Sequence, residues 1–229
     1  MKLAVLFSGG KDSCLAMEKT MEKEDVVCLI SVISDNPESY MFHTPNINLA
    51  PAQAEAIGLP IILVGTEGQK EKELEDLRNG IEKAVEIFGI EGIVTGALAS
   101  NYQKSRIEKI CNELCIECFN PLWGMDQMDV LKQLFERNYE VVVIGVFAIP
   151  FGEEWLGKKI DKDSIHKLEY FEKKYKINPA GEGGEIETFV TDAPFFRKRI
   201  VIEKSVPVFS RDSGILRIEK IKLEQKKVQ

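Results

Sequence analysis

Residues 2–13 read Lys2-Leu3-Ala4-Val5-Leu6-Phe7-Ser8-Gly9-Gly10-Lys11-Asp12-Ser13: an apolar run, two glycines, then a lysine, a carboxylate and a hydroxyl. The apolar run has the pattern of a buried strand, and from Asp12 to Glu24 the residues Leu15, Ala16 and Thr20 recur at helical spacing. The order is strand, glycine turn, helix. Two glycines allow a tight turn whose backbone N–H groups converge on an anion, and the helix N-terminus adds a favourable dipole. The hydroxyls of Ser8 and Ser13 and the ammonium of Lys11 complete a phosphate cradle, with Asp12 either capping the helix or holding a magnesium ion. The plain alternative is a turn plus N-cap, because Ser and Asp are preferred there in any case.

Working outward, Val26–Ile33 and Leu59–Val64 read as strands, with a short helix over Asn48–Ile57 between them. Leu74, Leu77, Ile81, Val85 and Phe88 form an apolar stripe on a helix that leads into a strand at Gly92–Thr95, and Ser100–Leu114 supplies another helix. Alternating strands and helices imply a parallel sheet with helices on both faces and a ligand site at the carboxyl ends of the strands. After Pro121-Leu122-Trp123-Gly124 the rhythm changes. A helix at Asp126–Asn138, an apolar strand at Tyr139–Val146 and a charged helix at Asp161–Tyr175 precede strands at Glu185–Thr191, Arg197–Val206 and Ile215–Leu223, which suggest an antiparallel or mixed sheet. The expected organisation is α/β, with a nucleotide-binding domain over 1–120 and a smaller C-terminal α+β substrate-binding region over 121–229.

Composition narrows the class. With 44% apolar and 29% charged residues the chain is an ordinary globular protein, large enough to build a core without disulfides or structural metal. Its longest apolar run, Val141–Phe151, is broken by Gly145 and Pro150, so no membrane association is expected. The N-terminus carries no secretory pattern, and the location expected is cytoplasmic. A net charge of −7 opposes direct nucleic-acid binding, although the basic stretch from Arg197 leaves room for a local basic face. Five cysteines suggest reduced thiols. Cys111-x-x-x-Cys115-x-x-Cys118 copies the spacing of an iron–sulfur site, but the first two fall four apart on an apparent helix and the third begins a strand-like run, so all three are read as packed thiols. Gly152-Glu153-Glu154-Trp155-Leu156-Gly157-Lys158-Lys159 imitates a second phosphate loop, yet it ends in Lys and carries two carboxylates; it reads as a surface loop or helix start.

The segment Ser8–Ser13 resembles the Ser-Gly-Gly-x-Asp-Ser loop of the AMP-forming ATP pyrophosphatases (PP-loop enzymes, with an adenine nucleotide alpha hydrolase-like fold), which include synthetases and tRNA-modifying enzymes. It is not the Walker loop, because no Gly-Lys-Ser/Thr closes it. Three more segments resemble one family among them, the diphthine–ammonia ligases (diphthamide synthases), and archaeal members in particular. They are Met41-Phe42-His43-Thr44-Pro45-Asn46, then Gly96-Ala97 with Ser100-x-Tyr102-Gln103-x-x-Arg106-x-Glu108-x-x-Cys111, and finally Glu182-Gly183-Gly184-Glu185-x-Glu187-Thr188 with Asp192-Ala193-Pro194. The likeness runs over nearly the whole chain. It departs at Ile186, where the family often has an aromatic. The resemblance implies ATP and Mg2+, ammonia, and elongation factor 2 bearing diphthine as the protein partner. It also implies that His43 and Gly96 join Ser8–Ser13 at the nucleotide, and that Tyr102, Gln103, Glu182, Gly183, Gly184, Glu185 and Glu187 meet the substrate.

The chemistry is consistent with such a reaction. A carboxylate accepts ammonia only after activation, and a pyrophosphate-binding loop suits conversion to an acyl-adenylate. Diphthine carries a trimethylammonium, which Glu182, Glu185 and Glu187 could balance and which the faces of Tyr102 or Trp123 could attract by about 0.5–2 kcal/mol. Arg106 follows Tyr102 by one helical turn and is a candidate, with Lys11 and Asp12, for stabilising charge on phosphorus or carboxylate; a salt bridge to Glu108 or Glu113 is the plain alternative. His43 is equally a contact to nucleotide or substrate, or a structural histidine, whereas His166 reads as helix surface. No length is spare for a glutaminase domain, so free ammonia is the expected nitrogen donor. The rivals are a PP-loop tRNA-modifying enzyme and an ATP-binding regulator without turnover, and a homodimer stays open.

Overall fold

The computed structural model describes residues 1–34, 45–69 and 72–226. By its contacts the chain divides into two units, Met1–Ser8 with Asp12–Trp123, and Gly9–Lys11 with Gly124–Gln229.

The first unit is built on five strands, β1 (Lys2–Leu6), β2 (Asp25–Ser34), β3 (Ile61–Thr66), β4 (Gly92–Val94) and β5 (Glu117–Phe119), in the order β3-β2-β1-β4-β5. Every pairing is parallel. Strand order therefore reverses between β1 and β4, the switch point at which ligands of such sheets bind. The helices are α1 (Lys11–Met21), α2 (Ala50–Ile57), α3 (Lys72–Phe88) and α4 (Asn101–Glu113). On α3, Leu77, Ile81 and Ala84 are buried with Leu74, Val85 and Phe88 partly so; they join Ala4, Cys28, Ile30 and Ile93 of the sheet and Ile107, Ile110 and Cys111 of α4 in one core. β3 starts two residues later than its apolar run suggests because Pro60 has no N–H to give a ladder; its carbonyl instead accepts from Leu29 N at 2.9 Å.

The second unit contains α5 (Gln127–Glu136), β6 (Glu140–Val146), α6 (Lys162–Tyr175), β7 (Ile186–Asp192), β8 (Lys198–Ser210) and β9 (Ser213–Gln225). Its sheet is antiparallel throughout, in the order β7-β6-β9-β8. β8 and β9 make a long hairpin that joins β6 through Gly145 and Val146. The basic residues of this hairpin do not form an unbroken positive face, since Lys204 pairs with Glu219, Lys220 with Glu203 and Lys222 with Glu224. The false phosphate loop is a short 3-10 turn, Glu153–Trp155, anchored by buried Trp155 packed edge-on against Phe151 at 5.2 Å. Among the described residues no helix is long and apolar enough to cross a membrane.

Candidate functional site

The turn after β1 stands where the sequence places it. α1 begins at Lys11, so Asp12 lies inside the first helical turn; of its two assigned roles the capping one is corrected, and its carboxylate is left at the positive end of the helix. Ser8 and Ser13 hydroxyls approach to 3.3 Å, which sets two donors side by side, and Gly9 takes φ 77°, a conformation that only glycine adopts at no cost. Lys11 and Ser13 are buried, at 3% and 4% exposure.

Gly96 explains itself sterically. A Cβ there would stand 2.8 Å from both the Asp12 carbonyl carbon and Ser13 N, so the chain leaving β4 touches the backbone at the start of α1 only because residue 96 has no side chain. This segment is itself fixed. Thr95 Oγ1 donates to Asn120 Oδ1 at 2.6 Å and accepts from Ala97 N at 3.2 Å, while Thr95 N donates to Phe119 O at 2.9 Å.

Gly9–Lys11, grouped with the second unit, are held by β7. Val190 N donates to Gly9 O at 3.0 Å, and Lys11 N donates to Thr188 Oγ1 at 3.2 Å, where Thr188 is buried. Thr188 closes the Glu182–Thr188 motif, which by its sequence alone assigns the hydroxyl no role. Its signal was weak because the two partners are 177 residues apart.

Ser100 caps α4 through Gln103 N at 3.4 Å. The Arg106 guanidinium lies 3.4 Å from the centre of the Tyr102 ring and donates to Tyr102 O at 3.3 Å, and Lys104 Nζ stands 4.6 Å over Trp123. One face of each ring proposed for a substrate cation is therefore covered by a cation of the chain itself. Glu108 pairs with Lys104 at 3.3 Å and Glu113 with Arg78 at 3.7 Å, so these carboxylates have other partners than Arg106. The thiols need a correction. Cys111 is buried, but Cys115 is exposed and lies past the end of α4 at φ 54°, since the helix stops at Glu113. Cys111 and Cys118 are hydrogen-bonded; Cys111 as donor is raised by that bond and by burial, and Cys118 as acceptor is lowered. Among the described residues no group of three or more His, Cys, Asp or Glu is placed to hold a metal ion. His166 lies exposed on α6.

The Glu182–Glu187 segment is more ordered than its glycines suggest. Glu185 Oε1 accepts from Asn178 N at 2.9 Å and Asn178 Nδ2 at 2.6 Å, and Oε2 accepts from Gly183 N at 2.9 Å. Asn178 Oδ1 accepts in turn from Gln127 Nε2 at 2.9 Å, and Gln127 Oε1 accepts from Ala180 N at 3.1 Å. A carboxylate with three N–H donors is a fixed part of the loop. Gln127 and Asn178 were not anticipated: an amide on a helix 51 residues from its partner carries no local mark. Glu182 is half-buried, Gly183 and Gly184 are exposed, and Glu187 sits on β7 opposite Gly145 of β6. His43, with Met41, Phe42 and Thr44, lies outside the described residues.

Comparison with known proteins covers both units. The family model for the diphthamide synthase N-terminal domain matches residues 1–118, and that for the diphthamide synthase C-terminal domain matches residues 126–223. Over 99% of its length the chain is 34% identical to a diphthine–ammonia ligase of Mus musculus and 33% identical to one of Homo sapiens, and it covers 94% of each. Against the diphthine–ammonia ligase of Schizosaccharomyces pombe it is 32% identical over 88% of the chain, spanning 36% of that longer protein.

Proposed function

Because the chain belongs to the diphthamide synthase family, the diphthine–ammonia ligases, we propose that it converts the carboxylate of diphthine on elongation factor 2 into an amide, using ATP and ammonia and releasing AMP and pyrophosphate. The observation that carries this reading is the placement of Ser8–Ser13 at the β1/β4 switch point, with Gly96 packed against the start of α1.

In the first step a carboxylate oxygen of diphthine bonds to the α-phosphorus of ATP as the bond from that phosphorus to the bridging oxygen breaks and pyrophosphate leaves. Backbone N–H groups of the Gly9–Gly10 turn, the Ser8 and Ser13 hydroxyls and Lys11 hold the departing pyrophosphate, each donating toward negative charge that grows as the bond breaks. Arg106 stabilises charge on the phosphorus oxygens or orients the carboxylate. In the second step ammonia nitrogen bonds to the acyl carbon, AMP departs with the carboxylate oxygen, and one proton is released. Tyr102 and Gln103 of the first unit, and Glu182, Gly183, Gly184 and Glu187 of the second, are the residues assigned to the protein substrate, with Glu185 shaping its loop.

Magnesium fits the donor set as an ion shared with phosphate. Asp12, in the first turn of α1, would hold the ion together with the bound phosphate, as one carboxylate commonly does for Mg2+. When bound, the ion neutralises phosphate charge.

The test is incubation with ATP, ammonium and diphthine-bearing elongation factor 2, followed by mass analysis of the modified histidine and phosphorus NMR of the nucleotide. Amide, AMP and pyrophosphate are expected. ADP and phosphate as primary products would overturn the proposal, and amide formed from glutamine in ammonium-free buffer would overturn the choice of nitrogen donor.

A further inference from the structure

The residue after β4, Thr95, has its hydroxyl in the core, at 4% exposure, and a buried hydroxyl is costly unless it is hydrogen-bonded. Thr95 Oγ1 accepts from Ala97 N at 3.2 Å, closing a short side-chain turn of the kind that Ser and Thr form with the backbone two residues on. Gly96 is the middle of that turn. It is also the residue without room for a side chain, since a Cβ there would stand 2.8 Å from Asp12 C and Ser13 N and 3.1 Å from Asp12 O. A turn closed by a hydroxyl is weak on its own. Here the same hydroxyl donates to Asn120 Oδ1 at 2.6 Å, and a hydroxyl that donates is polarised into a better acceptor.

Asn120 is itself held from several sides. Its carbonyl accepts from Trp123 N at 3.0 Å, closing a turn with Pro121 in the second position, where the fixed φ of proline is favoured, and Leu122 of the same turn is fully buried. Asn120 Nδ2 donates to Cys118 Sγ at 3.7 Å, which turns Oδ1 toward Thr95. Thr95 N donates to Phe119 O at 2.9 Å, so main chain and side chain together tie the end of β4 to the end of β5. We propose that Asn120 is a positioning residue for the nucleotide site: by accepting from Thr95 it fixes the Thr95–Ala97 turn, and thereby where Gly96 meets Asp12 and Ser13. The assignment rests on the reading of Ser8–Ser13 as the pyrophosphate loop and adds to it a residue that acts through its neighbours. The fit at Gly96 has little slack, so even a small shift of the turn is passed on to the backbone that carries the Asp12 carboxylate and the Ser13 hydroxyl.

Calorimetric titration of ATP with Mg2+ into the full chain, well below its melting temperature, is the test. Thr95→Val, which removes the hydroxyl and keeps the shape, and Asn120→Ala should each weaken ATP binding about tenfold, the scale of one hydrogen bond. Thr95→Ser should bring affinity back to within about twofold of the unaltered chain. The double variant Thr95→Val/Asn120→Ala should bind no more weakly than the weaker single one, because both substitutions remove the same bond. In the amidation assay KM for ATP should rise in step while KM for ammonium is unchanged. The comparison of Thr95→Val with Thr95→Ser decides the matter even where Asn120→Ala fails to fold. A lower melting temperature with unaltered ATP affinity in Thr95→Val makes the bond an ordinary part of the core and overturns the proposal, as do losses that add in the double variant. Weakened ATP binding in the variants with no amide formed by the unaltered protein sinks the proposed reaction and leaves Asn120 in its positioning role. Absence of ATP binding by the unaltered protein sinks both.

Discussion

The glycine turn at Ser8–Ser13 is shaped by backbone: a positive φ at Gly9, the start of α1, and a close approach that Gly96 permits. The glycine loop from Asn178 to Glu185 is shaped by side chains, with one carboxylate gathering three N–H donors and Gln127 bridging from α5. Both loops are rich in glycine, yet the glycines do different work. In the first they let main chain pass close to main chain, at Gly9 through a positive φ and at Gly96 through the missing side chain. In the second, Gly183 supplies an N–H to Glu185 and the exposed Gly184 turns at φ 81°. A backbone-built loop tolerates no added atoms, and a side-chain-built loop tolerates no lost partners.

The largest effects are expected in the backbone-built loop. Asp12→Asn and Ser13→Ala preserve its shape while removing a charge or a donor, and each should lower kcat by about 100-fold or more, the scale of losing one preorganised electrostatic contact. Circular dichroism and melting should stay close to those of the unaltered protein. Near-normal turnover in either variant would remove that residue from the mechanism.

Gly96→Ala attacks the same loop through sterics alone. A methyl carbon 2.8 Å from two backbone atoms of Asp12 and Ser13 forces main chain apart, at a cost of about 1–3 kcal/mol. Both melting temperature and turnover should fall. Retention of both would mean that α1 shifts freely, contrary to a loop fixed by packing.

These two regions also differ in how plainly sequence announces them. The β1-turn-α1 order, the helical stripe of α3 and the alternation that implies a parallel sheet are local patterns, readable within windows of a dozen residues. The Ser8–Ser13 cradle is equally local. Long-range partners are not. Thr188 under Lys11, Gln127 on Asn178 and Phe147 over Gly145 are set by strand register and chain reversal, which single-residue identity does not encode. Glu185 was legible as a functional glutamate, but whether its oxygens face a ligand or its own loop depends on three donors that sequence does not place. Likewise, Cys115 four residues after Cys111 looked helical, and the early stop of α4 at Glu113 turned it outward.

Glu185→Gln tests the side-chain-built loop. The amide retains one acceptor but turns an NH2 toward a donor, so about 1–2 kcal/mol of stability should be lost to an unsatisfied N–H group. KM for the protein substrate should rise and KM for ATP should not. Asn178→Ala should reproduce the pattern, because it removes the amide that Glu185 and Gln127 share. Equal losses toward ATP and protein substrate would show that the loop serves the nucleotide as well, and the contrast between the two loops would fail.

The smallest effect calibrates what a carboxylate-to-backbone bond contributes in this molecule when no function is attached. Asp161 caps α6, its Oδ1 accepting from Ser164 N at 2.8 Å, and that bond holds its carboxyl below the usual value of 3.8. Asp161→Ala should lower stability by about 1 kcal/mol, a typical loss for an N-cap. The sign of the pH dependence follows from the lowered value. Above the unfolded pKa both states are ionised and the cap contributes fully; as pH falls from there through the folded pKa, the unfolded chain takes up its proton first and the contribution disappears. Urea titrations at neutral pH and at successively lower pH should therefore show the gap between Asp161→Ala and the unaltered chain shrinking below about pH 4, with amidation kinetics unchanged throughout. A gap that persists undiminished under acid would mean that the side chain acts through packing or through the neutral carboxyl, and the same bond geometry at Glu185 would then carry less weight as an account of its loop.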